Sequence, residues 1–275
     1  MTSQHDQQAS FDTFSWTPAE APECDALAPF EERITQLNAI SPMSPRSLAN
    51  LRRALASIDP DERERFIAEN RERLADVRTQ GPAKYADFAY WADRSVAIAE
   101  WLDLDHAPPM DILDVGMGSG SFAMVAQSMG HRVLGTDVAN PWYGQLCRLA
   151  GVERLVAPVE RGQTYRPVDR RFDLITIMLP VFHRKPNAGR RPIYWTVEDW
   201  RSLLEGMQRD LLKSGGSIFI LMPLEQNDDG TQSYSPLVEW AGRRGARLDR
   251  RSPGEPISRI LFSGVTAETF GKSHG

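Results

Sequence analysis

Apolar positions along this chain change period once. From about residue 29 to residue 104 they recur at helical spacing, with clear start signals: Ser44-Pro45 opens one helix, and Asp59-Pro60-Asp61-Glu62 opens another with an N-cap, a proline in the first turn and an acidic residue at N3. A third helix is predicted over Lys84 to Leu104, where Phe88, Trp91, Ala92, Ala99 and Leu102 share a face. From Asp111 onward short apolar runs of strand length alternate with amphipathic stretches, the pattern of βαβ units in a mostly parallel sheet. The predicted strands are Asp111 to Gly116, Arg132 to Val138, Glu153 to Val159, Phe172 to Leu179 and Ser217 to Pro223, followed by strand-like runs at Ala246 to Arg251 and Ser258 to Val265. Helices are predicted at Ser119 to Met129, Pro141 to Ala150 and Ser235 to Arg244. A further one, Val197 to Leu212, carries Thr196 and Asp199 as a capping box and Trp200, Leu203, Leu204, Met207 and Leu211 as its apolar stripe.

The 275 residues, 41% hydrophobic and 25% charged, suffice for one large core and a smaller appendage. Residues 1–28 read as a polar tail or flap with Phe11, Phe14 and Trp16 as its apolar groups, residues 29–83 as a helical cap, and residues 84–275 as the sheet domain. A net charge of -5 without a Lys/Arg run disfavours nucleic acid as substrate. Cys24 and Cys147 stand apart without histidine partners, so neither a disulfide framework nor a metal site is expected. The polar start and the absence of a run of about 18 apolar residues predict a cytoplasmic chain without a membrane segment. Trp-rich helices could support a homodimer.

The chemistry concentrates at Asp111-Ile-Leu-Asp-Val-Gly116-Met-Gly118-Ser-Gly120, a strand entering a glycine-rich turn that opens a helix. Such a turn brings backbone N–H groups close to a ligand at the carboxyl edge of a parallel sheet. Asp137 closes the next strand, where a carboxylate can accept both hydroxyl hydrogens of a ribose. Together they point to an adenosine-type ligand. A dinucleotide fingerprint would need glycine at position 121, which is Ser121; here the glycines alternate instead.

This D-x-G-x-G-x-G form, with Gly135-Thr136-Asp137 closing the second strand, Arg171-Phe172-Asp173-Leu174-Ile175 opening the fourth and Leu212-Lys213-Ser214-Gly215-Gly216 before the fifth, resembles the class I S-adenosylmethionine-dependent methyltransferase family. The resemblance implies an α/β, Rossmann-like, doubly wound and mostly parallel seven-stranded sheet with an antiparallel C-terminal strand, behind an N-terminal helical cap over the acceptor. It implies S-adenosyl-L-methionine as cofactor and methyl transfer to oxygen, nitrogen or carbon of a small-molecule acceptor, as in biosynthesis. Gly116 and Gly118 would face the cofactor's amino-acid part, with Gly120 also a cofactor-binding residue, Asp114 near the ammonium and Asp137 on the ribose. Glu160 would lie near the adenine amine, Tyr85, on the helix before the sheet, near the carboxylate, and Leu179 at the cofactor edge of the fourth strand. That strand runs into Met178-Leu179-Pro180-Val181-Phe182-His183 in place of an Asn/Asp-Pro-Pro-Tyr/Phe motif, which disfavours methylation of base amines.

His183 is the candidate catalytic base, with an ordinary loop histidine as the competing reading. Arg184, Lys185, Arg190 and Arg191 could meet an anion or be a solvated loop, and Trp142 and Tyr143 could stack near the cofactor or fill the crossover. Asp173 reads as structural. Three other functions stay open: attack on the cofactor's aminocarboxypropyl arm, releasing methylthioadenosine; a cofactor-binding module without catalysis; and a dinucleotide oxidoreductase.

Overall fold

The computed structural model describes residues 26–74, 82–187, 190–227, 229–251 and 254–270. Most of the expected tail, with Phe11, Phe14, Trp16, Cys24 and His5, lies outside the described residues, as does His274; the side chains of Arg190 and Arg191 do too. The chain divides into two compact units that interleave along it. The first takes residues 1–108, 118–130 and 140–153; the second takes 109–117, 131–139 and 154–275. The division follows packing rather than chain order.

The first unit is helical: α1 (Phe30–Ile40), α2 (Pro45–Leu55), α3 (Pro60–Glu69), α4 (Arg71–Leu74), a 3-10 turn (Pro82–Ala86), α5 (Phe88–Trp101), α6 (Ser121–Ser128) and α7 (Pro141–Leu149). The predicted caps form. The Ser44 side chain accepts from Ser47 N–H at 3.0 Å and that of Asp59 from Glu62 N–H at 2.9 Å. Helices α2, α5 and α6 pack on one another through small residues, Ala54, Ala92, Ala99 and Ala126 among them, which let the backbones approach closely. The N-cap of α5 is Asp87, three residues after the predicted start at Lys84. Its carboxylate accepts from Tyr90 N–H at 3.2 Å and from the Arg33 guanidinium of α1 at 2.6 Å, both side chains being buried. Burial pushes the Asp87 carboxyl up, and Arg33 opposes that shift. Tyr85 therefore sits in the 3-10 turn and not on the helix, a correction that follows from where the cap falls.

The second unit carries the sheet: β1 (Asp111–Val115), β2 (Arg132–Asp137), β3 (Glu153–Val156), β4 (Phe172–Met178), β5 (Arg184–Asn187), β6 (Arg190–Tyr194), β7 (Leu212–Leu221), β8 (Arg247–Arg250) and β9 (Ile257–Phe262), with α8 (Val197–Asp210) and α9 (Ser235–Arg243). Seven strands lie in the order β3-β2-β1-β4-β7-β9-β8. β1 pairs in parallel with β2 and β4, and β4 with β7, while β9 runs antiparallel to β7 and β8. This is the expected Rossmann-like, mostly parallel sheet. The strand order reverses at β1 and β4, and a parallel sheet opens a ligand crevice beyond its carboxyl ends at such a switch point.

Local differences from the sequence reading have physical causes. β3 ends at Val156, three residues early, just before Pro158, which has no N–H to donate. β7 begins at Leu212 because Lys213 Nζ bridges Asp111 and Asp173, each at 2.8 Å, and so holds the glycine pair against the sheet. Asp173 also accepts from Asp111 N–H at 2.8 Å, the structural role expected of it. β5 and β6 form a hairpin where a basic loop was expected. The stripe of α8 is buried, and Trp240 and Ala241 of α9 join Ile260 and Phe262 in the same core. No helix among the described residues is long and apolar enough to cross a membrane.

Removing one partner of a buried pair strands the other charge. Arg33→Ala should cost about 3–5 kcal/mol in denaturant unfolding; a loss under about 1 kcal/mol would mean that the pair is solvated in solution.

Candidate active site

The register of Val115 opposite Thr136 and Ile177 brings β1, β2 and β4 to the edge at one level. Just inside that edge Asp114 is fully buried on β1, opposite Thr176 of β4. Thr176 Oγ1 donates to Asp114 Oδ1 at 2.7 Å, and Asp114 Oδ2 has no hydrogen-bond partner among the described residues. Burial pushes the Asp114 carboxyl up to about 7; the Thr176 hydroxyl pulls against this and the nearby Asp137 charge adds to it.

At Gly116 the chain leaves the sheet with φ +74°, and the N–H groups of Gly116 and Met117 both donate to Thr136 O, at 2.8 and 3.1 Å. Passing into the first unit, the backbone is left-handed again at Gly118 and Gly120, with φ +56° and +81°. Side chains at such angles cost roughly 1–2 kcal/mol each, which explains the three alternate glycines. A Cβ at Gly116 or Gly118 would meet nothing within 4 Å, so conformation and not crowding requires glycine there. Met117 lies across Gly135 of β2, where an added Cβ would overlap its sulfur.

Asp137 is half-buried at the tip of β2, and its carboxylate accepts from Val138 N–H at 2.7 Å. Beneath it Thr136 is fully buried and accepts from the Tyr165 hydroxyl at 2.5 Å; burial pushes that phenol up to about 12. Leu179, at the tip of β4, is left-handed without being glycine, with φ +48°, and its N–H donates to Leu221 O at 2.7 Å. Strain of this kind collects at functional edges.

The remaining candidates have partners of their own. Glu160 is exposed in a turn after β3 and bonds Gln163. Tyr85 belongs to an aromatic group of the first unit, 4.7 Å from the Trp91 ring and edge-on to Tyr143 at 5.5 Å. Trp142 is buried there, against Phe66 at 5.2 Å and under the Arg73 guanidinium. Asp103, Asp105 and His106 gather ligand-type atoms in the same unit, but the guanidinium of Arg46 bonds Asp105 at 2.5 Å and His106 at 3.0 Å and fills the place of a metal.

His183 is not on the surface. It follows β4 in the second unit, only 1% exposed, with neither ring nitrogen hydrogen-bonded among the described residues. Its Nε2 lies 3.6 Å from Glu225 Oε2, and Arg184 Nη1 meets Glu225 Oε1 at 2.9 Å. Arg184 of the basic cluster thus has an internal partner. His183 lines a cavity of about 60 Å³ with Tyr194, Trp195, Trp200, Ser233 and Tyr234, and no residue of the glycine turn lines it. Thr136, Thr176, Tyr165 and Glu225 escaped the sequence reading. Thr176 could have been found from strand register, which pairs it with Asp114; Tyr165 and Glu225 stand in aperiodic stretches that carry no signal.

No family model matches the chain, and no curated protein matches it. Among solved structures it is similar to the ribosomal protein L11 methylase of Lactobacillus delbrueckii subsp. bulgaricus, at 18% identity over 60% of this chain and 77% of that one, with a TM-score of 0.37. It is similar to magnesium protoporphyrin IX methyltransferase of Synechocystis PCC 6803, solved with bound SAM, at 15% identity over 72% and 92%, TM-score 0.44. A third is the amino pentose methyltransferase CalS10 of Micromonospora echinaspora, at 17% identity over 59% of each chain, TM-score 0.37.

Because the Asp114 carboxyl moves from 3.8 to about 7 on folding, the folded chain binds more protons between those values, and this group's contribution to stability falls as pH rises through that window. Asp114→Asn should remove that slope. The variant should gain on the wild type from pH 4 to 8 in denaturant titrations, and parallel curves would show that Asp114 ionises freely in the fold.

Proposed function

We propose that this chain is an S-adenosylmethionine-dependent methyltransferase acting on a small-molecule acceptor. The observation that carries the reading is Asp114, a fully buried carboxyl with one oxygen unpartnered, on the strand that leaves the sheet through alternate left-handed glycines. A cation beside that oxygen would offset the desolvation, and the ammonium of an amino acid is one the turn can accommodate. Gly116 and Gly118 would face the amino-acid part, and Asp137 would accept from the ribose hydroxyls. Leu179 would pack at the nucleoside's edge. Tyr85 and Glu160 keep the roles that the resemblance gives them, at the carboxylate and the adenine amine.

When bound, S-adenosylmethionine supplies a methyl group already activated by its sulfonium. The protein's part is then alignment of an acceptor and removal of one proton. The net charge of -5 supports a small metabolite over a nucleic acid.

Calorimetry with S-adenosylhomocysteine tests the reading. Binding should strengthen as pH rises to about 7, where Asp114 ionises to meet the ammonium. Asp137→Ala should weaken it by about tenfold or more, the value of a charged hydrogen bond. Absence of any uptake at pH 8 would end the proposal.

A further inference from the structure

The hairpin β5–β6 stands outside the seven-stranded sheet, and neither of its strands pairs with a third among the described residues. A two-stranded ribbon is marginal by itself, so it has to be held from one face. Arg184 and Tyr194, cross-strand neighbours, supply that face: the Arg184 guanidinium meets Glu225 Oε1 at 2.9 Å, and the Tyr194 ring stacks on His183 at 5.6 Å. Beside them Trp195 N–H donates to His183 O at 2.7 Å, and the Trp195 ring meets Trp200 of α8 edge to face at 5.5 Å. Successive residues of a strand point to opposite sides, so the next pair, Lys185 opposite Ile193, faces outward. Both are exposed, Ile193 by 52%.

Charge singles this face out. Between Asp173 and Glu198 the chain has four basic residues, Arg184, Lys185, Arg190 and Arg191, and no acidic one, although the whole chain carries a net charge of -5. Such a segment attracts acidic groups locally, while the rest of the molecule repels long polyanions. The rings that could stack on bases, Tyr194 and Trp195, are committed to His183 and Trp200, which removes the usual platform for single-stranded nucleic acid. The turn from Asn187 to Arg190 has no large apolar residue to insert into lipid. Pro186 and Pro192 have no N–H, so each strand lacks a donor that an added strand would need. Recognition is thereby left to side chains. One exposed isoleucine is ordinary on any surface; set beside a lysine in an acid-free basic ribbon, it is the apolar half of an amphipathic patch.

We infer that the outer face of this ribbon is a docking surface for an acidic amphipathic segment of a protein partner, whose carboxylates meet the basic residues and whose apolar side chain covers Ile193. Arg184 is held by Glu225 and serves to fix the ribbon in place, so Lys185 is the described cation that the partner meets. A patch this small makes a weak, transient complex rather than a permanent one. Its charged contacts are exposed, and salt screens them over about 8–10 Å at physiological strength. Neither the glycine turn nor the His183 cavity takes part, so the inference and the methyl-transfer reading stand or fall separately.

Full-length protein is titrated, by fluorescence anisotropy, into a labelled peptide of glutamate and leucine in amphipathic helical order. The same peptide with lysine for glutamate, an oligouridylate and phosphatidylserine vesicles are the comparisons. The Glu/Leu peptide should bind saturably at low salt, more tightly than any comparison, and its binding should weaken as salt is added. Lys185→Glu, which sets like charges together, should weaken it about tenfold. Ile193→Thr keeps the β-branched shape that suits a strand and removes apolar surface, and should weaken it by about threefold to tenfold. Arg148→Glu makes the same charge change at an exposed position of α7 and should bind like the wild type. Thermal melts check that each variant folds; should Ile193→Thr melt early, the Lys185→Glu and peptide comparisons still decide. No saturable uptake of the Glu/Leu peptide, or equal uptake of its lysine counterpart, overturns the inference. So does tighter binding of the oligouridylate or the vesicles, or an equal loss in Arg148→Glu and Lys185→Glu.

Discussion

Asp114 is a carboxyl removed from water at the centre of a sheet, with one threonine hydroxyl to bond and a second carboxylate, Asp137, near enough to repel it. Burying such a group is costly in any fold, and the cost is tolerable only where the proton is retained or a cation arrives. Its place is set by three parallel strands in register: β1 carries it, β4 offers Thr176 directly opposite, and β2 ends in Asp137. The strand order reverses between β1 and β4, so the strained carboxyl and the crevice of the switch point coincide. The proposed cofactor chemistry follows from that coincidence.

The backbone around it is shaped to the same end. Three left-handed residues in alternation turn the chain sharply away from β1 while leaving open space above Gly116 and Gly118. Met117 would otherwise point into that turn, and it lies instead across Gly135, the one position on β2 that has no side chain to obstruct it. Thr136 joins both sides of the arrangement: its carbonyl accepts from Gly116 and Met117, and its hydroxyl accepts from Tyr165. A turn tied at so many points is preorganised, and a ligand need not spend binding energy to order it.

The His183 cavity belongs to a different construction, made by the hairpin β5–β6, the start of α8 and the segment before α9. Its charges cancel between Arg184 and Glu225, and its rings supply apolar surface on several sides.

The period of the apolar residues determined the order of helices and strands, because burial of one face imposes helical or strand spacing whatever the neighbours are. Gly116, Gly118 and Gly120 were legible because left-handed backbone excludes nearly every other residue, and Ser44, Asp59 and Thr196 because a helix end needs an oxygen acceptor. Asp114 and Asp137 were legible as residues, but not the elevated proton affinity of Asp114, which arises from the strands and core that close around it. Strand pairing alone could bring Thr176 to Asp114, 62 positions away in the chain, and only the folded loop after β3 brings Tyr165 to Thr136, 29 positions away. The same holds for His183, legible as a base candidate after β4 but given its meaning by Glu225, which the fold brings to it from beyond β7. Local spacing carries the information for local elements; partners distant along the chain meet only when the sheet forms, and the electrostatics of a buried group belongs to those partners.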